Sequence, residues 1–166
     1  MIHIISDNTT SELTDVQEED VQPNAVDLRL DKVFQILPNV FTIGEEDGKE
    51  QKTHRGSVEI ITDSDGYYNL APGVYEVVMK NVIKVGEDEA GWVITRSTLN
   101  RNGLFITSGL YDSGYHGVMA GALHVEGFSR IKKGTRIGQF LLFKAEALKK
   151  YDGSYGIGKE HDKKYI

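Results

Sequence analysis

The chain has no cysteine, which excludes disulfides, thiolate metal ligands and a cysteine nucleophile, and with them a zinc site built on one His and two Cys of the kind some deaminases use. No apolar run approaches the roughly 20 residues of a membrane span. The first residues also lack the basic start and apolar run of an export signal, so the expectation is a soluble protein of the cytoplasm. Positive charge is in deficit: the net charge is -6, which argues against a nucleic-acid footprint. There is no long helical period, no internal repeat and no low-complexity tract.

What is present is glycine and short apolar runs. The 166 residues suit one domain with a real core. Met1 to Ile5 reads as an edge strand. Residues 7 to 20 carry six carboxylates and no Lys or Arg, a solvated turn or one short helix. Val26, Leu28 and Leu30 alternate as a half-buried strand with Asp27 on its opposite face. Further short strands are predicted at Val33 to Leu37, Val40 to Ile43, Val58 to Thr62, Tyr67 to Leu70, Val74 to Met79, Val82 to Val85 and Trp92 to Thr95, with turns at Lys80-Asn81 and Glu87 to Gly91. Gly44 to Gly56 is an exposed hairpin tip or loop with His54 at the surface. Phe140 to Phe143 reads as a strand buried on both faces. Many short strands with 18 glycines indicate an all-β sandwich or barrel.

Gly91 to Val125 concentrates the residues with chemistry. Arg96-Ser97-Thr98, the Asn102-Gly103 turn and Asp112-Ser113-Gly114-Tyr115 place an arginine, hydroxyls, a carboxylate and a tyrosine at strand ends and turns, where site residues usually sit. Attack of water on a phosphorus needs a general base within hydrogen-bond reach and donors for the developing charge. His116 and His124 read as turn and strand-face residues.

Five segments in order carry a resemblance: AVDLRL at 25 to 30, TRSTLNRNG at 95 to 103, SGLYDSGYHG at 108 to 117, GTRIGQFLLF at 134 to 143 and the glycine-rich GSYGIG at 153 to 158. Together they resemble the five motifs of the trimeric dUTPase and dCTP deaminase superfamily. The resemblance implies a distorted jelly roll assembled as a homotrimer, with sites at subunit interfaces. A domain over residues 1 to 150 would be followed by a flexible tail, 151 to 166, that closes as a lid. It further implies Asp112 as the base that activates water, with Arg96, Ser97, Thr98, Gln139 and Arg136 on the phosphates and Tyr115 against the deoxyribose. Tyr155 would stack on the base, and Asp27 would face Mg²⁺ through water. A subunit-interface ion pair is an equal reading of Arg136.

Within this superfamily the deaminase pattern has a glutamate ten residues after the motif-three aspartate. Alanine stands there, at Ala122, and the next acid along the chain is Glu126. The resemblance therefore implies hydrolysis of dUTP to dUMP and pyrophosphate rather than deamination of dCTP. The hairpin segment between Gly103 and Asp112, LFITSGLY, is shorter than the family's, which leaves another deoxypyrimidine triphosphate open as substrate. A non-catalytic trimer that senses nucleotide or binds a protein is the reading from another class.

Overall fold

A computed structural model describes all of residues 1–166. Twelve strands make up nearly all of its regular structure: β1 (Glu12–Leu13), β2 (Val26–Ile36), β3 (Ile43–Glu46), β4 (Lys49–Lys52), β5 (Ser57–Glu59), β6 (Tyr67–Leu70), β7 (Gly73–Lys84), β8 (Glu89–Thr95), β9 (Leu104–Thr107), β10 (His116–Val125), β11 (Ser129–Lys132) and β12 (Arg136–Lys144). A single helical turn, α1 (Ser97–Asn100), and two short 3-10 segments, Glu18–Asp20 and His161–Tyr165, complete it. No helix is long and apolar enough to cross a membrane.

The main sheet runs β8-β12-β2-β7-β10-β9, all antiparallel, with β1 on β7 and β5 on β2. Its two edges come together: the Thr95 hydroxyl on β8 accepts the Ile106 N–H of β9 at 2.7 Å. A sheet that curls until its edges meet removes most of the exposed ladder that would otherwise pair with another chain. The interior takes the inward residues of every long strand, among them Val26, Leu28, Val77, Met119, Leu123 and Phe140. Gly91 sits where a Cβ would lie 2.1 Å from the buried Phe140 ring, so glycine there leaves the ring its place in the core.

Several sequence expectations change once partners are visible. β2 and β7 are each one long strand rather than two short ones. Asn81, read as a turn, lies fully buried inside β7, where it accepts the Arg29 N–H and donates to Thr14 O. Those two bonds satisfy an amide that would otherwise break the strand. Asp27 is not on a half-exposed face but fully buried. Glu89, read as part of an acidic turn, is a fully buried strand residue. Val40 is exposed coil, and only Ile2 of the first five residues pairs, with Leu142. β12 alternates buried and half-buried residues rather than being covered on both sides. The hairpin of β3 and β4 is exposed along its length, as its composition predicts.

The acidic stretch proves structural. Thr9 and Ser11 donate to Glu89, and Asp20 is a fully buried partner of Arg29 at 2.6 Å. The Glu19 carbonyl accepts from Arg136 at 2.6 Å. The N-terminal segment therefore braces β2 and β12 from outside.

Candidate active site

Strand register brings one set of candidate residues together at the ends of β2, β8 and β12. Asp27 and Gln139 are direct cross-strand partners, which puts their side chains on the same face. Gln139 Nε2 donates to Asp27 Oδ1 at 3.0 Å. Arg136 lies three residues before Gln139, a spacing that in a regular strand points to opposite faces. The ladder between β12 and β2 shifts between Arg136 and Gly138, and this irregularity turns Arg136 back toward Asp27. Arg136 Nη1 then lies 3.5 Å from Asp27 Oδ2, and Arg96 Nε, just past the end of β8, lies 3.1 Å from the same oxygen. Arg96 Nη1 also donates to the Arg136 carbonyl at 3.1 Å.

Ser97 and Thr98 open α1 and are exposed beside this group. The four-residue turn has no periodicity to betray it in sequence. Its effect is to follow the strand end with hydroxyls and N–H groups. Two guanidinium groups, an amide and hydroxyls around one carboxylate carry a net positive charge and many free donors. That is the chemistry of a phosphate clamp.

The second set lies elsewhere. Tyr111 bridges to Gly91 on β8, whereas Arg96 lies five residues further along that strand, about 17 Å at the usual strand rise. Asp112, next to Tyr111, is exposed, and the turn it opens closes when Tyr115 N donates to Asp112 O at 3.0 Å. Gly114 within that turn has φ +84°, a value that favours glycine. Tyr115 is buried and donates its hydroxyl to Val118 O at 2.8 Å, with Tyr111 and Tyr151 edge-on to its ring. Burial pushes its phenol well above the ordinary value.

Beside Tyr115 opens a cavity of about 720 Å³. Its walls come from Gly109 to Tyr111, from Ala120 to Ala122 of β10, from Glu76, from Lys52 and Arg55 and from the C-terminal tail. The tail folds back on its own protomer. Ile157 N donates to His116 O at 2.8 Å, Gly156 N donates to Asp162 Oδ2 at 2.6 Å, and Tyr165 is buried against Phe34. Tyr155 stands half-exposed in the cavity wall with His161 edge-on to it at 4.9 Å. His54 is exposed as expected, and its ring packs against His161 and Tyr155.

Sequence reasoning missed Glu76. It is the direct cross-strand partner of Ala122 and so shares its face of the sheet. It accepts from Ser57 at 3.0 Å, from Lys164 at 2.8 Å and from the Tyr165 hydroxyl. Burial raises its carboxyl, but Lys164 and Tyr165 outweigh that and hold it below the usual carboxylate range. The acid nearest to Ala122 across the ladder is thus Glu76, occupied by the tail, rather than Glu126 along the chain. Only strand pairing could have revealed it.

The family model described as dCTP deaminase-like matches residues 2–145. A probable deoxyuridine 5'-triphosphate nucleotidohydrolase of Methanopyrus kandleri is 34% identical over 146 residues, covering 86% of this chain and 91% of that protein. The deoxyuridine 5'-triphosphate nucleotidohydrolase of Methanocaldococcus jannaschii is 31% identical over 155 residues, covering 92% of this chain and 97% of that protein. Among solved structures, the 2'-deoxycytidine 5'-triphosphate deaminase of Agrobacterium tumefaciens superposes with a TM-score of 0.58 at 18% identity, over 80% of this chain and 43% of that one. That likeness concerns the fold.

Proposed function

This chain belongs to the dCTP deaminase-like family, and from that premise we propose that it is a dUTP pyrophosphatase of the cytoplasm, working as a homotrimer whose sites each draw on more than one protomer. The observation that carries this reading is the separation within one protomer of a phosphate clamp (Arg96, Ser97, Thr98, Arg136, Gln139) from an exposed carboxylate beside a buried tyrosine (Asp112, Tyr115). At about 17 Å along β8 the two halves cannot serve one substrate in the same chain, because a base must lie within about 3 Å of the water it activates. A ring of three protomers, each half facing its neighbour's other half, completes three sites. The nucleotidohydrolase names of the relatives support the substrate.

In this reading the clamp binds the triphosphate and Tyr115 packs on the deoxyribose. Asp112 takes a proton from water as its oxygen forms a bond to the α-phosphorus. The bond from that phosphorus to the bridging oxygen breaks, and pyrophosphate leaves with the electron pair while dUMP remains. The clamp's N–H groups stabilise the charge that grows on the phosphate oxygens.

Mg²⁺ enters as part of the substrate, held by the triphosphate oxygens as is usual for this ion. The chain's own donors do not fit a resident ion. No group of three His, Asp or Glu side chains could hold one, and Asp27, the expected contact, is fully buried with two guanidinium groups within 3.5 Å. A dication brought to that oxygen would meet both positive charges.

The test is to follow pyrophosphate and ammonia separately with dUTP, dCTP, dTTP and UTP in the presence of Mg²⁺. The expected result is pyrophosphate from dUTP. Ammonia from dCTP would contradict it and require another acid in place of the glutamate missing at Ala122. Silence with all four would favour a nucleotide-binding trimer without turnover.

The tail, in the same proposal, leaves its docked position to cover the nucleotide, bringing Tyr155 onto the base. Deleting residues 151 to 166 is expected to lower kcat/KM by roughly tenfold or more, since water exclusion and closure act on the reaction itself. Trimer mass in light scattering is expected to hold. Unchanged kcat/KM would retire the lid.

A further inference from the structure

We infer that Asp27 is a positioning residue for the phosphate clamp and not a contact of the metal, an inference that rests on the proposed hydrolase reading. Its carboxylate is fully buried and sits on the face of β2 to which β12 turns Gln139 and, through its ladder shift, Arg136. Oδ1 accepts from Gln139 at 3.0 Å. Oδ2 has no well-aligned hydrogen bond, yet Arg96 Nε and Arg136 Nη1 lie 3.1 and 3.5 Å from it. A buried carboxylate oxygen is costly unless opposite charge surrounds it, and these two guanidinium groups are that charge.

The relation is reciprocal. Arg96 and Arg136 are close enough for Arg96 Nη1 to bond the Arg136 carbonyl, and two guanidinium groups so placed repel each other unless an anion lies between them. Asp27 supplies it from below, on the protein side. Both arginine side chains remain about 30% exposed. Arg136 Nη1 also donates to the Glu19 carbonyl at 2.6 Å, and the N–H groups of both that have no protein partner are left for phosphate oxygens. A guanidinium has five N–H donors in a fixed fork. Arg96 spends one on the Arg136 carbonyl and holds its Nε beside Asp27 Oδ2 as an ion pair, and its other N–H groups are left. Asp27 also fixes the rotamer of Gln139, whose other amide hydrogen and carbonyl stay available.

The geometry thus makes Asp27 the common support of three ligand-binding side chains, each preorganised before the nucleotide arrives. A metal contact at the same oxygen would require the arginines to withdraw, which would dismantle the clamp that the triphosphate needs.

The test uses Asp27→Asn, which keeps volume and removes charge, and measures tripolyphosphate binding to the full-length protein by calorimetry in EDTA, without any metal. Positioning predicts binding weaker than the parent's by roughly tenfold or more, with KM for the nucleotide raised by a similar factor, kcat changed less, and the Mg²⁺ concentration for half-maximal rate unmoved. Unchanged metal-free binding together with a raised Mg²⁺ requirement would overturn it in favour of a metal contact. If the parent itself does not bind tripolyphosphate, the phosphate clamp fails and the hydrolase reading with it, a distinct outcome.

Should the Asn variant not fold, the parent alone decides. Mn²⁺ added to nucleotide-free protein is expected to leave the Arg96 and Arg136 Nε–H resonances sharp, and tripolyphosphate is expected to shift them. Saturable broadening of those resonances by Mn²⁺ alone would overturn the inference.

Discussion

Asp112→Asn is expected to lower kcat by roughly 10³-fold or more while leaving the affinity for a non-hydrolysable dUTP analogue within a few-fold of the parent's, the pattern of a lost general base. The reason is local. Asp112 is exposed and its side chain takes no part in holding its turn, which closes through backbone groups and the left-handed Gly114. Asparagine therefore keeps the turn, the volume and the seat of Tyr115, whose ring is fixed by its own hydroxyl bond to Val118 and by the edges of Tyr111 and Tyr151. What it loses is the ability to take a proton. Steady-state rates with calorimetry on the analogue separate the two effects. A variant that turns over at the parental rate would remove Asp112 from the mechanism.

Glu89→Gln is expected to produce the largest loss of stability, roughly 2 to 4 kcal/mol at pH 7, through a broken buried ionic network. The Glu89 carboxylate is fully buried. It accepts from the Thr9 hydroxyl at 2.6 Å, the Ser11 hydroxyl at 2.5 Å and the Ser11 N–H at 3.1 Å, and pairs with Lys144 at 2.5 Å. Every neighbour donates, so a glutamine must turn its NH2 toward a donor and leave at least one of them without an acceptor.

The pH dependence follows from the same contacts. Burial raises the Glu89 carboxyl, but Lys144, Ser11 and Thr9 outweigh it and bring it down to about 2, against 4.5 in the unfolded chain. A depressed folded value stabilises the protein above the unfolded one. The contribution, of the order of 3 kcal/mol, is complete above about pH 4.5 and disappears as pH falls from there toward 2. Denaturant unfolding of parent and variant at equal protein concentration is expected to show a gap that narrows across that window. A gap independent of pH would mean that charge at Glu89 contributes nothing.

Glu89 also shows where sequence reading stops. Its neighbours along the chain, Glu87 to Gly91, have the composition of a turn, and nothing local distinguishes it from them. It becomes a core residue because Thr9 and Ser11, nearly eighty positions away, arrive to satisfy it. Asn81 is the same case: a turn-forming type made into a strand interior by Arg29 and Thr14. The all-β class was legible because alternation and glycine are local properties. The order of strands was not, and with it went the burial of Asp27, the shift that aims Arg136 and the pairing of Glu76 with Ala122.

The candidate site was legible in a different way. Its residues were named from ordered motifs, and the structure gathers Asp27, Arg96, Arg136 and Gln139 while leaving Asp112, Tyr115 and Tyr155 apart from them. A single sequence lists both halves without saying that one chain holds them apart; in the proposed trimer a subunit boundary brings them together.

That boundary is what the account most depends on, and subunit mixing tests it. Asp112→Asn and Arg96→Ala are each expected to be inactive alone. If each site takes Asp112 from one protomer and Arg96 from its neighbour in a closed ring of three, unfolding the two variants together and refolding them at equal amounts restores about a quarter of the parental activity, because every mixed trimer contains one intact site. Recovery to that level is the result predicted here. A mixture as inactive as its components, from trimers shown by mass to be mixed, would contradict it and return the whole site to a single protomer.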